Sequence, residues 1–298
     1  MKKYVIYSVC VGNYDDILQP LVIDNRFDYV LFSNDFEEQQ IGVWQVRPIP
    51  IPQEISKNDM KRLSRYPKTH PETMLPEYEA SLYMDMNIQI KDAYIYERFI
   101  ELVTKRVEYA GIKHFRHDNI YDHAFDMVNW NLEHDYNMFR ICQYIRHHGY
   151  TRNGGLNENN IIFRMHTKKM QKVNEEWWRM IVYFSHRDQF SYMYILNKYR
   201  IPIEYFLLPP EFARNSKHLN FNFHDKRTNS RKYEKIGLFE KIRKKTCTLS
   251  LENECFYKNM YYNLYQSKFP LFLFKIFNAM KNESTIPHRD MYIRGIHR

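Results

Sequence analysis

The sequence predicts an α/β fold: a mostly parallel sheet flanked by helices, followed by a helical C-terminal extension. Three observations predict it. Short apolar runs alternate with segments of helical apolar spacing, the pattern of strands joined by crossover helices. Charged or amide residues stand just past the ends of those runs, where open α/β sheets hold their ligands. Beyond about residue 225 the chain turns basic and aromatic.

The elements follow in order. Residues 3–11 are a continuous apolar run, read as a buried parallel strand, and Gly12-Asn13-Tyr14-Asp15-Asp16 is turn chemistry behind it. Residues 27–33 form a second strand closed by Asn34 and Asp35, and residues 43–46 a third. Pro48, Pro50 and Pro52 then hold the chain extended. Residues 57–66 read as a helix stopped by Pro67, and residues 79–84 as a fourth strand running into Asp85. Ile95, Phe99, Ile100 and Val103 space a helix over 93–107, and a further helix over 135–148 ends at Gly149. Residues 156–165 read as a strand and 174–184 as a helix. Ser185 and Asp188 fit a capping box that opens a helix through about residue 198. An α/β domain at 1–210 and a helical extension at 211–298 result.

The bulk composition narrows the classes. The 298 residues, 44% of them hydrophobic, suffice for one large α/β domain. Eight glycines disfavour glycine-rich phosphate loops. Cys10, Cys142, Cys247 and Cys255 form no Cys-x-x-Cys pair, which disfavours zinc ribbons and disulfide scaffolds and fits a reduced, cytosolic setting. No stretch reads as a signal peptide or as an apolar run of about 18 residues. The net charge is +9, and residues 226–245 hold nine Lys/Arg against Glu234 and Glu240. That segment is either a solvated helix face or a contact for anionic lipid or an acidic polymer. No nucleic-acid module motif accompanies it. Residues 267–277 are intensely apolar between lysines, which suits an interfacial anchor, a packed helix or an oligomer contact.

Several clusters carry chemistry. Asp85 and Asn87 follow a strand two residues apart, where oxygen ligands for Mg²⁺ or Mn²⁺ can point the same way; a plain turn uses the same residues. Gly12-Asn13-Tyr14-Asp15 occupies a common nucleotide position, with Tyr14 able to stack on a base. Lys57, Lys61, Arg62, Arg65 and Lys68 run up to His70 and can neutralise a diphosphate or cover a solvated helix face. His114, Arg116, His117, Asp118, Tyr121, Asp122 and His123 make a polar knot suited to substrate contacts or a satisfied turn. Glu158, Arg164, His166, Arg187 and Asp188 are ionisable groups set among apolar residues, and such groups have a partner or a task. Arg164 and His166 alternate, so that one can touch phosphate and the other metal or acceptor. Asp188 is either a cap or a base toward an acceptor hydroxyl, with Arg187 and Gln189 beside it. Trp177 and Trp178 read as core.

Taken in order, these pieces resemble a known family. They are Gly12 to Asp16; Asp28 to Asp35; Trp44; Lys61-Arg62 to His70-Pro71; Pro76 to Ile90; His114 to Asp122; Glu158 to His166; and Trp177-Trp178 to Ser191. The family is the glycosyltransferase-like one of bacterial capsule and polysaccharide loci and plant Golgi proteins. The resemblance covers roughly residues 3–205 and is silent on 206–298. It implies a GT-A-like, Rossmann-like mixed sheet, a nucleotide-sugar donor, a glycan or lipid-linked glycan acceptor, and a divalent metal, Mn²⁺ or Mg²⁺. On this chain it implies that Asp85 and Asn87 stand in for the usual metal motif, and the residue reading set beside it gives catalytic roles to Asp188, Glu158 and Arg187. Donor contacts fall to Gly12, Asn13, Tyr14, Asp15, Lys61, Arg62, His70, Arg164 and Gln189. Metal contacts fall to Asp85, Asn87 and His166, and acceptor contacts to His114, His117, Tyr121 and Asp122. The chain departs from the family pattern at Met86, where a small glycine is usual, at Asn87, where an acid is usual, and at His117, where arginine is usual. The expected activity is sugar transfer to a surface polysaccharide, in the cytoplasm or on the inner face of a membrane. A metal-dependent hydrolase of a phospho- or lipid substrate and a non-catalytic glycan-binding module are the alternatives.

Overall fold

The structure is a computed structural model that describes residues 3–222 except 131, together with 258–260 and 262–266. The basic segment 226–245 and the apolar segment 267–277 lie outside the described residues.

The apolar runs become strands, and all but the third are buried on both faces. In chain order the first elements are β1 (Tyr4–Val9), β2 (Phe27–Phe32), β3 (Gln40–Ile41) and β4 (Trp44–Arg47). Three one-turn helices follow: α1 (Met60–Leu63), α2 (Tyr66–Thr69) and α3 (Pro71–Met74). Then come β5 (Ala80–Met84), β6 (Ile88–Ile90), α4 (Tyr94–Thr104), β7 (Tyr109–Lys113), α5 (Ile120–Asn129) and α6 (Asp135–His147). The last are β8 (Asn157–Met165), α7 (Lys168–Tyr183), α8 (Tyr192–Lys198), β9 (Glu204–Tyr205) and β10 (Leu219–Phe221).

Eight strands form one sheet in the order β3-β4-β2-β1-β5-β8-β7-β9. β1 runs parallel to β2 and β5, β2 to β4, and β7 to β9. β8 is antiparallel to both β5 and β7. The mixed, mostly parallel sheet expected from the sequence is therefore formed. One face carries the apolar residues of α5–α8, centred on Trp177 and Tyr192; the other carries α4 and the residues around Phe206 and Leu207. β10 pairs antiparallel with β6, so the folded unit continues past residue 210. Among the described residues, no helix is long and apolar enough to cross a membrane.

Two local expectations change. Pro67 does not end a helix over 57–66; it stands in the first turn of α2, where its missing N–H costs nothing. Ser185 and Asp188 do not form a capping box. Ser185 Oγ accepts from Arg187 N at 3.0 Å and donates to Glu133 Oε2, while Asp188 opens a 3-10 turn, Asp188–Phe190, ahead of α8.

Candidate functional site

Parallel pairing brings the carboxyl ends of β1, β2, β4 and β5 to one edge of the sheet. The reversed β8 contributes its amino end there: Asp85 N, just past β5, donates to Asn160 O at 2.8 Å. Opposite lie α2 and the turn that begins at Asp188.

Lys68 connects these pieces. Its ammonium lies 2.5 Å from Asp188 Oδ2 and 3.8 Å from Asp85 Oδ1, and sits 4.6 Å from the centroid of the Tyr83 ring. Its side chain is only 3% exposed. Such a buried cation stands only because carboxylates and an aromatic face replace its water. Tyr83 Oη donates to Asp85 Oδ1 at 2.6 Å, fixing that carboxylate. Arg65 Nε lies 3.8 Å from Asp188 Oδ2. Burial pushes the Asp188 carboxyl up, but Lys68 and then Arg65 outweigh it and hold the group below the usual carboxylate range. Asp188 is placed by its backbone as well, since its carbonyl accepts from Trp177 Nε1 at 2.9 Å. Trp177, stacked 3.7 Å from Tyr192, is core, as the sequence indicated.

Glu158 reaches the same edge on β8. It meets Arg214 Nη1 at 2.7 Å and accepts from Asn160 Nδ2 at 2.6 Å. Burial pushes its carboxyl upward, against Arg214 and Asn160. The two buried carboxyls are thus driven in opposite directions, as in sites that separate roles between acids.

The loop 12–15 also lies at this edge. Gly12 and Asn13 have φ of +76° and +48°, and both backbone N–H groups donate to Asp35 Oδ2, at 2.6 and 3.1 Å. Those donors are therefore committed to Asp35. Tyr14 is exposed and close enough to Arg65 to act on it electrostatically, while the Asp15 carbonyl accepts from Cys10 Sγ at 3.7 Å.

Other sequence candidates are placed elsewhere. Arg164 is fully buried, donating to Asn174 Oδ1 at 3.2 Å and to Tyr7 Oη. It organises the polar centre of the core rather than reaching a donor. His166 Nε2 lies 2.9 Å from Ser81 Oγ at the amino end of β5, the end remote from Asp85. The antiparallel course of β8 separates the two, so they do not share an ion. Arg62 is held by Asp59 at 2.7 Å and by Ile181 O at 3.1 Å. His70 Nδ1 lies 3.0 Å from Tyr66 O, with its ring against Tyr66 and Trp178. Arg187 donates to Leu132 O at 3.0 and 3.3 Å. Lys61 stands on the exposed side of α1. The cations at the carboxylates are instead Lys68 and Arg65.

The polar knot is a helix start. Asn119 caps α5 by accepting from Asp122 N at 2.9 Å, and Asp122 also holds Arg152 at 3.1 Å. Tyr121 donates to Tyr150 O. His114 Nδ1 accepts from Arg116 N and His117 N, at 3.2 and 3.0 Å, and His117 Nε2 lies 2.7 Å from Asp126 Oδ2. His123 Nε2 lies 3.1 Å from Gln189 Oε1, tying this cluster to the residue after Asp188. The acceptor candidates thus have partners within the protein, and His123, which also stacks on Phe190, links the cluster to the turn that begins at Asp188.

For a divalent cation the expected set does not converge. Asp85 offers a partly exposed carboxylate, and Asn87, whose Nδ2 donates to Asn222 O at 2.8 Å, has its Oδ1 as the atom that could ligate; His166, however, lies at the far end of the sheet. Among the described residues no group of three His, Cys, Asp or Glu could hold a metal ion.

The sequence of residues 21–219 matches the TOD1/MUCI70 glycosyltransferase-like domain. The chain belongs to that family. The match takes in β2 through β9 and includes Lys68, Asp85, Glu158 and Asp188. None of the curated proteins matches the chain. Among solved structures it is similar to core-mannan synthase A (CmsA/Ktr4) of Aspergillus fumigatus in its Mn/GDP form, at 10% identity over 76% of this chain and 80% of that one, TM-score 0.43. It is similar to mouse xyloside xylosyltransferase 1 at 10% identity over 68% and 84%, TM-score 0.43. It is also similar to the galactosyltransferase LgtC bound to donor and acceptor sugar analogues, at 12% identity over 67% and 72%, TM-score 0.35.

Proposed function

We propose that the chain moves a sugar from a nucleotide-diphosphate donor to a hydroxyl of a surface-polysaccharide acceptor, free or lipid-linked. The observation that carries this is the Lys68 ammonium held between Asp188 and Asp85 at the ligand edge of the sheet. Membership of a glycosyltransferase-like family supports transfer over hydrolysis or simple glycan binding.

The roles follow from the geometry. Asp188 is ionised and ion-paired, so it is a weak proton acceptor; its task is to orient a hydroxyl and face positive charge developing at the sugar carbon. Glu158, pushed the other way by burial, is the better proton acceptor. Arg65, whose Nε makes no hydrogen bond among the described residues, is the cation available to the leaving diphosphate, the role first assigned to Lys61 and Arg62. Tyr14, exposed on the loop behind β1, is the residue proposed to cover the base.

The test is a thermal-stabilisation screen of UDP-, GDP-, CDP- and TDP-sugars with and without Mn²⁺, followed by nucleotide-release assays. Stabilisation and release with one nucleotide class support the proposal. Indifference to every compound sinks it.

A further inference from the structure

Arg214 stands in the loop between β9 and β10 and reaches back to β8. Its Nη1 lies 2.7 Å from Glu158 Oε1, with 36% of the arginine side chain exposed and 3% of the glutamate's. The guanidinium carbon lies 4.8 Å from the centroid of the Phe115 ring, just past β7, and 4.7 Å from that of Phe221, in β10. Phe212 stacks on Phe115 in turn, at 5.6 Å. Two aromatic contacts restrict a side chain that otherwise has many rotamers, so its fork arrives at Glu158 already oriented.

The loop is anchored at the ligand edge. Asn222 N, just past β10, donates to Asn87 O at 2.9 Å, and Asn87 Nδ2 donates to Asn222 O at 2.8 Å. Glu158 is tied to the same edge, because Asn160 Nδ2 donates to it at 2.6 Å and Asn160 O accepts from Asp85 N at 2.8 Å. Burial drives the Glu158 carboxyl toward its neutral form. Arg214 opposes this most, followed by Asn160 and the Phe115 backbone. A neutral carboxyl cannot accept a proton, so the arginine decides whether this one is usable. His114, kept neutral by burial and by its neighbours, is the other titratable group that Arg214 acts on.

We infer that Arg214 is a positioning residue that holds Glu158 in place as the proton acceptor of the transfer step, and that Phe115 and Phe221 hold Arg214. This rests on the role proposed above for Glu158. In that step Glu158 takes the proton of the acceptor hydroxyl as its oxygen bonds to the sugar carbon. The bond to the diphosphate breaks, and its electron pair leaves with the diphosphate. The loop between β9 and β10 therefore completes the site as well as the fold.

The experiment follows nucleotide release from UDP-glucose, UDP-galactose and GDP-mannose, with water as acceptor, between about pH 4 and 9. It uses full-length wild type, Arg214→Met, Arg214→Lys, Glu158→Gln and the Arg214→Met/Glu158→Gln double variant, with unfolding curves at each pH. In Arg214→Met, kcat should fall about tenfold or more and the donor KM should stay. The acid limb of kcat should move up by about one pH unit or more, because the lost cation had favoured ionised Glu158. Arg214→Lys should bring the limb back toward wild type. In the Glu158→Gln background, Arg214→Met should cost nothing further. An unmoved acid limb in folded Arg214→Met overturns the inference. A donor KM that rises while kcat holds makes Arg214 a donor contact and overturns it equally. Should Arg214→Met not fold, Phe115→Leu keeps the charge and removes one ring; it must lower kcat and move the limb the same way, or the inference falls. If wild type releases nucleotide from none of the three compounds, the sugar-transfer function itself fails, an outcome distinct from these.

Discussion

Lys68 Nζ lies 2.5 Å from Asp188 Oδ2, with 3% and 10% of the two side chains exposed. A pair this buried is held mainly by the penalty for breaking it, because an uncompensated charge would remain inside. Lys68→Met is therefore expected to cost about 3–5 kcal/mol, and adding Asp188→Asn should recover much of that. Urea unfolding of the two single variants and the double variant measures the coupling. A neutral Lys68→Met would mean that the pair does not form in solution.

The same pair sets an acid dependence. Asp188 is held below its ordinary range, so its stabilisation is complete above the unfolded value of about 3.9 and is lost as pH falls through the lower folded value. The stability gap between wild type and Asp188→Asn should stay constant from about pH 7 to 5 and narrow below about pH 4. Narrowing already near pH 6 would contradict the assignment.

The histidine cluster predicts a loss of stability in the same direction over a higher pH range. Burial first, then neighbouring histidines, push His123 down to about 4 and His114 down to about 2. Between about pH 6.5 and 4 the unfolded chain binds protons that the folded rings refuse, so stability falls as pH falls. Each such ring contributes a slope of up to about 1.4 kcal/mol per pH unit. His123→Gln should flatten the slope of unfolding free energy against pH by one proton over that range. An unchanged slope would show that His123 is already protonated when folded.

Arg164 and His166 should behave as structural residues. Arg164→Met removes the cation that Tyr7 and Asn174 surround and is expected to destabilise by about 3 kcal/mol or more. The folded fraction should bind nucleotide as wild type does. His166→Gln should leave any response to Mn²⁺ unchanged, since His166 sits beside Ser81 and not Asp85. A loss of Mn²⁺ response in His166→Gln, read in the thermal-shift screen, would reverse that placement.

These residues show what the sequence could and could not carry. Strands over Tyr4–Val9 and Ala80–Met84, and Asp85 at a ligand edge, were legible because an apolar run ending in an acid is a local signal. The direction of β8 was not, since pairing is a long-range choice. That one fact moved His166 away from the site and brought the Asn160 backbone to Asp85. The His114–His123 knot hid a helix start that Asn119 and Asp122, an N-cap and its partner three residues on, could have revealed. Lys68 stood in a basic run and was indistinguishable there from Lys61, because burial depends on α2 folding back over Tyr83.

The most direct test of the central proposal is nucleotide release from nucleotide sugars by wild type and by Asp188→Asn, with folding of each verified by unfolding curves. Wild type should turn over at least one nucleotide sugar, and Asp188→Asn should lose about 100-fold or more in kcat while still binding the bare nucleotide. Full activity in a folded Asp188→Asn, or no turnover by wild type with any nucleotide sugar, would contradict a catalytic centre built on Asp85, Lys68 and Asp188.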